Sequence, residues 1–358
     1  MMTAVIAVVV VALLVVAGFV VWDRFQLPAS PVEEGLSAMP EKTLIASFTD
    51  WSAARADLSP DIASGSTIRT KRSFYDNAYD KDYSVGSVLS TFDQVMTDKY
   101  GWSVLDTDWE MYGQARAGAV EVLKMSEDFD FDAAGDALSR LGYPAADGDG
   151  VRAAGPDVVA AVSPGLTPQL GYLALLPDER LVVTSDSGRY TTQTLEVIKG
   201  DRDSLYDVEG VPPLAVSFSS KTVVAVLELG SRACVGPGFG AASASERRLA
   251  RQRIAEVGGI HPFTGLGLAT DPGGVLTVAM QFAEEDQAAA DLRPRQRLAR
   301  GEAPDQGGTF EERFKLAVAD VKDATLVLAL KPSAPDAQLL SDLGRGGLLF
   351  ASCGAATR

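Results

Sequence analysis

The stretch Thr264–Phe282, TGLGLATDPGGVLTVAMQF, decides the architecture. Two apolar runs, 264–270 and 275–282, flank Asp271-Pro272-Gly273-Gly274. Proline presets φ inside a turn and glycine supplies positive φ, so this spacing predicts an antiparallel hairpin. Outward from it the pattern recurs. Pro177-Asp178-Glu179 separates the runs 172–176 and 180–184, and Lys322-Asp323 separates 314–321 from 324–330. Further strands are expected at 44–48, 119–125, 158–162, 222–229 and 348–352. Helical spacing and caps place helices at 51–58, 84–99, from Asp130 or Asp132 to Leu141, at 190–198, from Ser243 or Ser245 to Val257, at 284–300 with a bend at Pro294, and at 336–343. The polar, Tyr-rich segment 65–82 reads as irregular.

Strand, helix, hairpin and helix follow one another twice, with a division near 201–213. Hairpins imply antiparallel pairing, and helices between them imply an α+β fold. The expectation is two similar lobes of antiparallel hairpins, 43–205 and 206–358, with helices packed on one face of each.

Ahead of the lobes, Thr3–Trp22 (TAVIAVVVVALLVVAGFVVW) carries no charged side chain. A helix of that length spans the roughly 30 Å hydrocarbon core of a bilayer. Trp22 suits the membrane interface, and Asp23-Arg24 returns the chain to water. Residues 1–24 are therefore expected as a transmembrane anchor and 25–42, with three prolines, as a linker. A cleaved signal peptide is the alternative, with a new N-terminus near Ala38; against it, the leader Met1-Met2 has no Lys or Arg. Arg24 alone favours a cytoplasmic passenger, whereas paired cysteines favour an external one.

The 358 residues carry a net charge of −16. Such a surface is repelled by phosphate backbones, which argues against a nucleic-acid partner. The lone histidine, His261, excludes a site built from several histidine metal ligands, and its turn context, Gly258-Gly259-Ile260-His261-Pro262, is the simpler account of it. No cofactor is implied. Gly236, Gly238 and Gly240 lack the G-x-G-x-x-G spacing, and Ser217-Phe218-Ser219-Ser220-Lys221 misses S-x-x-K by one residue.

Two acidic sets remain. Asp106, Asp108 and Glu110 alternate beside Trp109, so on a strand they share a face; a pair of carboxyls with separated pKa values could hydrolyse a glycan. The simpler reading is a solvated strand face. Asp128, Asp130 and Asp132 could gather around Ca²⁺, but the spacing lacks the glycine and distal glutamate of an EF-hand, and helix capping is the simpler account of the acids.

Trp109-Glu110-Met111-Tyr112-Gly113-Gln114, Asp130-Phe131-Asp132 leading to Leu141-Gly142-Tyr143, Leu176-Pro177-Asp178-Glu179-Arg180-Leu181-Val182-Val183 and Leu349-Phe350-Ala351-Ser352-Cys353 resemble uncharacterised single-anchor surface proteins of actinomycete bacteria. The resemblance implies export and a shared fold, and it transfers no catalytic residue.

The functional expectation is a membrane-anchored extracytoplasmic module, held through residues 3–22, that binds an envelope ligand or protein partner without catalysis. A carboxylate glycan hydrolase and an assembly scaffold are the alternatives. Cys234 and Cys353, the only cysteines, each follow an expected strand, and an even count in an exported chain predicts a disulfide between them.

Overall fold

The computed structural model describes residues 30–235, 242–304, 306–334, 337–344 and 347–354. The anchor stretch Thr3–Trp22, the first linker residues and Gly236, Gly238 and Gly240 lie outside them. Among the described residues no helix is long and apolar enough to cross a membrane.

The chain is α+β and its sheet is antiparallel throughout. The strands are β1 (Ile45–Asp50), β2 (Thr107–Ala115), β3 (Gly118–Met125), β4 (Arg152–Ala153), β5 (Tyr172–Leu176), β6 (Leu181–Ser185), β7 (Val224–Leu229), β8 (Gly265–Thr270), β9 (Leu276–Gln281), β10 (Phe314–Lys322) and β11 (Thr325–Pro332). They form one sheet in the order β10-β11-β9-β8-β7-β1-β2-β3-β6-β5-β4. The repeated plan is visible in that order. From the centre outward, β1-β2-β3 is followed by the hairpin β6-β5, and β7-β8-β9 by the hairpin β11-β10. The halves do not form separate sheets, because β1 and β7 pair with each other, Ile45 opposite Glu228 and Thr49 opposite Val224.

The principal helices are α1 (Pro31–Ser37), α2 (Trp51–Leu58), α3 (Ile68–Asp80), α4 (Phe131–Arg140), α5 (Gly155–Val162), α6 (Gly188–Ile198), α7 (Val211–Val216), α8 (Ala244–Glu256), α9 (Glu285–Leu298), α10 (Phe310–Arg313) and α11 (Leu339–Gly344). They cover both faces of the sheet, which corrects the expectation of one. Strands such as β6, LVVTS, are buried at every position, so neither face tolerates water. One face presents Leu123, Val182, Val224, Val278 and Leu328 to Trp51, Phe74, Leu138, Ile254 and Leu298 of α2, α3, α4, α8 and α9. The other presents Val122, Val183, Ala225 and Ala279 to Leu36, Leu195 and Leu214 of α1, α6 and α7. Val122 and Leu123, or Val182 and Val183, alternate between the two layers as the period of a strand requires.

Four local expectations in the first half of the chain are corrected. The linker reading fails from residue 31 onward. Pro31 opens α1, where proline is favoured, and Val32, Leu36 and Met39 are buried. Segment 68–80, expected as irregular, is α3. Thr67 accepts from the Thr70 amide, and Lys71, Phe74 and Ala78 share its buried face. Val158–Val162 is helical, started by Pro156, with Val159 as its buried contact. The span 84–99 is broken into 3₁₀, α and π turns from Leu89 to Tyr100.

The terminal segment is a 3₁₀ turn, Leu349–Ala351, in place of a strand. Its carbonyls need no strand partner. Arg295 of α9, fully buried, donates to the carbonyls of Phe350 at 2.8 Å, Ser352 at 3.0 Å and His261 at 2.7 Å. Asp291, one turn earlier, balances that charge at 2.9 Å and accepts from the His261 amide and ring. Cys234 and Cys353 are joined, with Cα atoms 5.4 Å apart, within the range a disulfide requires.

Candidate functional site

The alternating acids of β2 fall into three different environments. Asp106 precedes the strand, in a 3₁₀ turn. It accepts from the Ser103 amide at 2.8 Å and the Ser64 hydroxyl at 2.6 Å, and burial raises its pKa against those bonds. A bulge between Thr107 and Trp109 displaces Asp108, which pairs with Arg180; the same guanidinium also donates to the Met125 carbonyl. Glu110 is fully buried in the layer beneath α2.

Glu110 has an acidic neighbour that the sequence reading missed. Glu121 of β3 is opposite Tyr112, one pleat along from Glu110 on the same face, and it too is fully buried. None of the four carboxyl oxygens has a hydrogen bond of good geometry. Burial raises the pKa of Glu110, opposed only weakly by the nearby Ser87 hydroxyl and Trp51 indole. Burial also raises Glu121 well above the ordinary glutamate value, with the adjacent Glu110 adding to the shift. Two buried carboxyls in contact do not both ionise, so the pair holds a proton. The signal was present in AVEVL, residues 119–123, where one acid interrupts an otherwise apolar buried run.

Asp106 alone of the three lines the cavity of about 420 Å³ at this end of the sheet. Arg55, Arg140, Asp128, Asp130 and Phe129 contribute to its wall. Arg55 is held in place by its bond to the Thr107 carbonyl at 2.7 Å, and burial lowers its pKa against the pull of Asp108 and Asp106. Asp130 caps α4 by accepting from the Ala133 amide at 2.8 Å, and Asp132 lies exposed in the first turn of that helix. Among the described residues no group of three or more His, Cys, Asp or Glu side chains could hold a metal ion. The cavity therefore combines two guanidinium groups, three carboxylates and two aromatic rings, Tyr100 and Phe129. Such a set is chemically suited to a polar group carrying charge of both signs, or to a charged protein segment. The hydrolase geometry is not assembled from Asp106, Asp108 and Glu110, since one caps, one is in an ion pair and one is sealed from solvent.

No protein-family model and no curated protein matches the chain. Among solved structures, crystal form I of TP0453 is similar over 89% of this chain and 100% of that chain, at 9% identity and a TM-score of 0.36, a likeness on which no argument about fold or function rests.

Proposed function

We propose that this is a membrane-anchored extracytoplasmic protein whose folded part binds a ligand or protein partner at the cell envelope without turning it over, in keeping with its likeness to single-anchor actinomycete surface proteins. The observation that carries the binding reading is the cavity beside Asp106, whose lining includes Arg55 and Arg140 together with Asp106, Asp128, Asp130 and Phe129. The Cys234–Cys353 bridge supports an oxidising location. The buried face of α1 supports retention of the N-terminal segment. Cleavage near Ala38 would remove Val32 and Leu36 from the core.

The test is cross-linking of the full-length protein in native membranes, followed by purification. Wild type is expected to retain a partner or ligand that Arg55→Ala combined with Arg140→Ala loses, with both proteins resisting a carbonate wash. Capture that is indifferent to both arginines overturns the cavity as the site. Release by carbonate overturns the anchor.

A further inference from the structure

A second site is marked by arginines in a strongly acidic chain. The inward side of α9 is settled by Ala288, Asp291, Arg295 and Leu298, all buried. Arg293, Arg297 and Arg300 recur at intervals of four and three, so they stand together on the outward side. All three are exposed, and with Gln296 and Gly301 they line a groove of about 560 Å³. None of them has an acidic side chain within ion-pair distance among the described residues. The acids of this corner are already engaged. Glu256 and Glu302 both pair with Arg253 of α8, at 2.8 Å each.

Like charges at these spacings destabilise a helix, so a chain of net charge −16 gains nothing by clustering them for their own sake. Favourable interaction with the negative end of the helix dipole accounts for a cation in the last turn. It does not account for Arg293, which precedes that turn. The dipole contributes about half a negative charge, and three guanidinium groups outweigh it.

We infer that the groove lined by Arg293, Arg297 and Arg300 binds a phosphate-bearing ligand. Guanidinium forks match phosphate oxygens two at a time, and three forks suit a group carrying more than one negative charge. The site shares no residue with the cavity beside Asp106, so it stands or falls separately. Its ligand could present phosphate free in solution or as a lipid headgroup, and the chemistry recognised is the same.

Full-length protein in neutral detergent micelles is titrated by calorimetry with inorganic pyrophosphate, and separately with micelles doped with an anionic phospholipid. Saturable binding that weakens at least tenfold in Arg293→Gln/Arg297→Gln/Arg300→Gln, and is retained in Arg248→Gln/Arg251→Gln on α8, supports the site. The arm that responds identifies the source. Both variants alter only exposed side chains, and unchanged circular dichroism shows that they fold. The inference is overturned if neither probe binds, or if the two variants weaken binding equally, which would report bulk charge only.

Discussion

Glu110 and Glu121 give the molecule an acid-favoured stability. Burial holds both carboxyls above the ordinary glutamate value near 4.5 in the folded chain, with Glu110 pushed up to about 7 and Glu121 raised in the same direction. The folded state therefore keeps protons that the unfolded chain releases, and stability falls as pH rises from near 4.5 through 7. Burial raises Asp50, Asp82 and Asp106 in the same direction. The urea midpoint is expected to be higher at pH 5.5 than at pH 7.5. Glu121→Gln, which removes one ionisable partner, is expected to flatten that dependence and add about 1–3 kcal/mol at pH 7.5. A wild-type midpoint that rises between those pH values would falsify the shared-proton account. At this scale the sequence showed which residues to watch in β2 but not their roles. Alternation in Asp106-Thr107-Asp108-Trp109-Glu110 is a local signal. Arg180, the partner of Asp108, comes from the remote β5–β6 turn, and Glu121 comes beside Glu110 only through the register of the β2–β3 hairpin, which neither strand shows by itself.

Elements were legible where their chemistry is local. The hairpin β8–β9 follows from Asp271, whose carboxylate accepts from the Val275 amide at 3.0 Å, and from Gly274, at φ +71°. Helix α3 was hidden because its buried face includes a charged residue: Lys71 is paired with Asp93 at 2.6 Å inside the core. The C-terminal 3₁₀ turn was hidden for a related reason, since LLFAS has strand composition but its carbonyls are claimed by Arg295. That turn is pinned twice, by Arg295 and by the disulfide, which spans 119 residues of sequence. In the chain-entropy model such a loop is worth about 4–5 kcal/mol, with measured values nearer 2–4 kcal/mol. Cys353→Ser is expected to lower unfolding free energy by about that measured amount, and wild type under reducing conditions should approach the variant. If reduction leaves the denaturation midpoint unchanged, the bridge carries no stability. A further loss is expected for Arg295→Met, which strands Asp291 in the core and unpairs two carbonyls of the turn.

At the scale of the molecule, the repeated plan of strand, helix and hairpin was readable and its consequence was not. Each half satisfies the same local pattern, and nothing local says that β1 and β7 will pair edge to edge. Joined in this way, the halves share both apolar layers. Residues 206–358 produced alone would leave β7 without its β1 partner and are expected to give a poorly dispersed amide spectrum. A well-dispersed, cooperatively melting fragment would show that the half is self-sufficient. The central position of β1 also bears on how the chain is made. The first of the described strands to be synthesised acquires its last neighbour only when Val224–Leu229 follows. Until then its open edge, IASFTD, fits the β7 of any copy of the chain as well as its own. Refolding at high concentration should therefore yield a fraction of domain-swapped dimers exchanging the second half. Dilution before refolding should suppress them, and a strictly monomeric product at every concentration would show that β7 docks faster than copies meet.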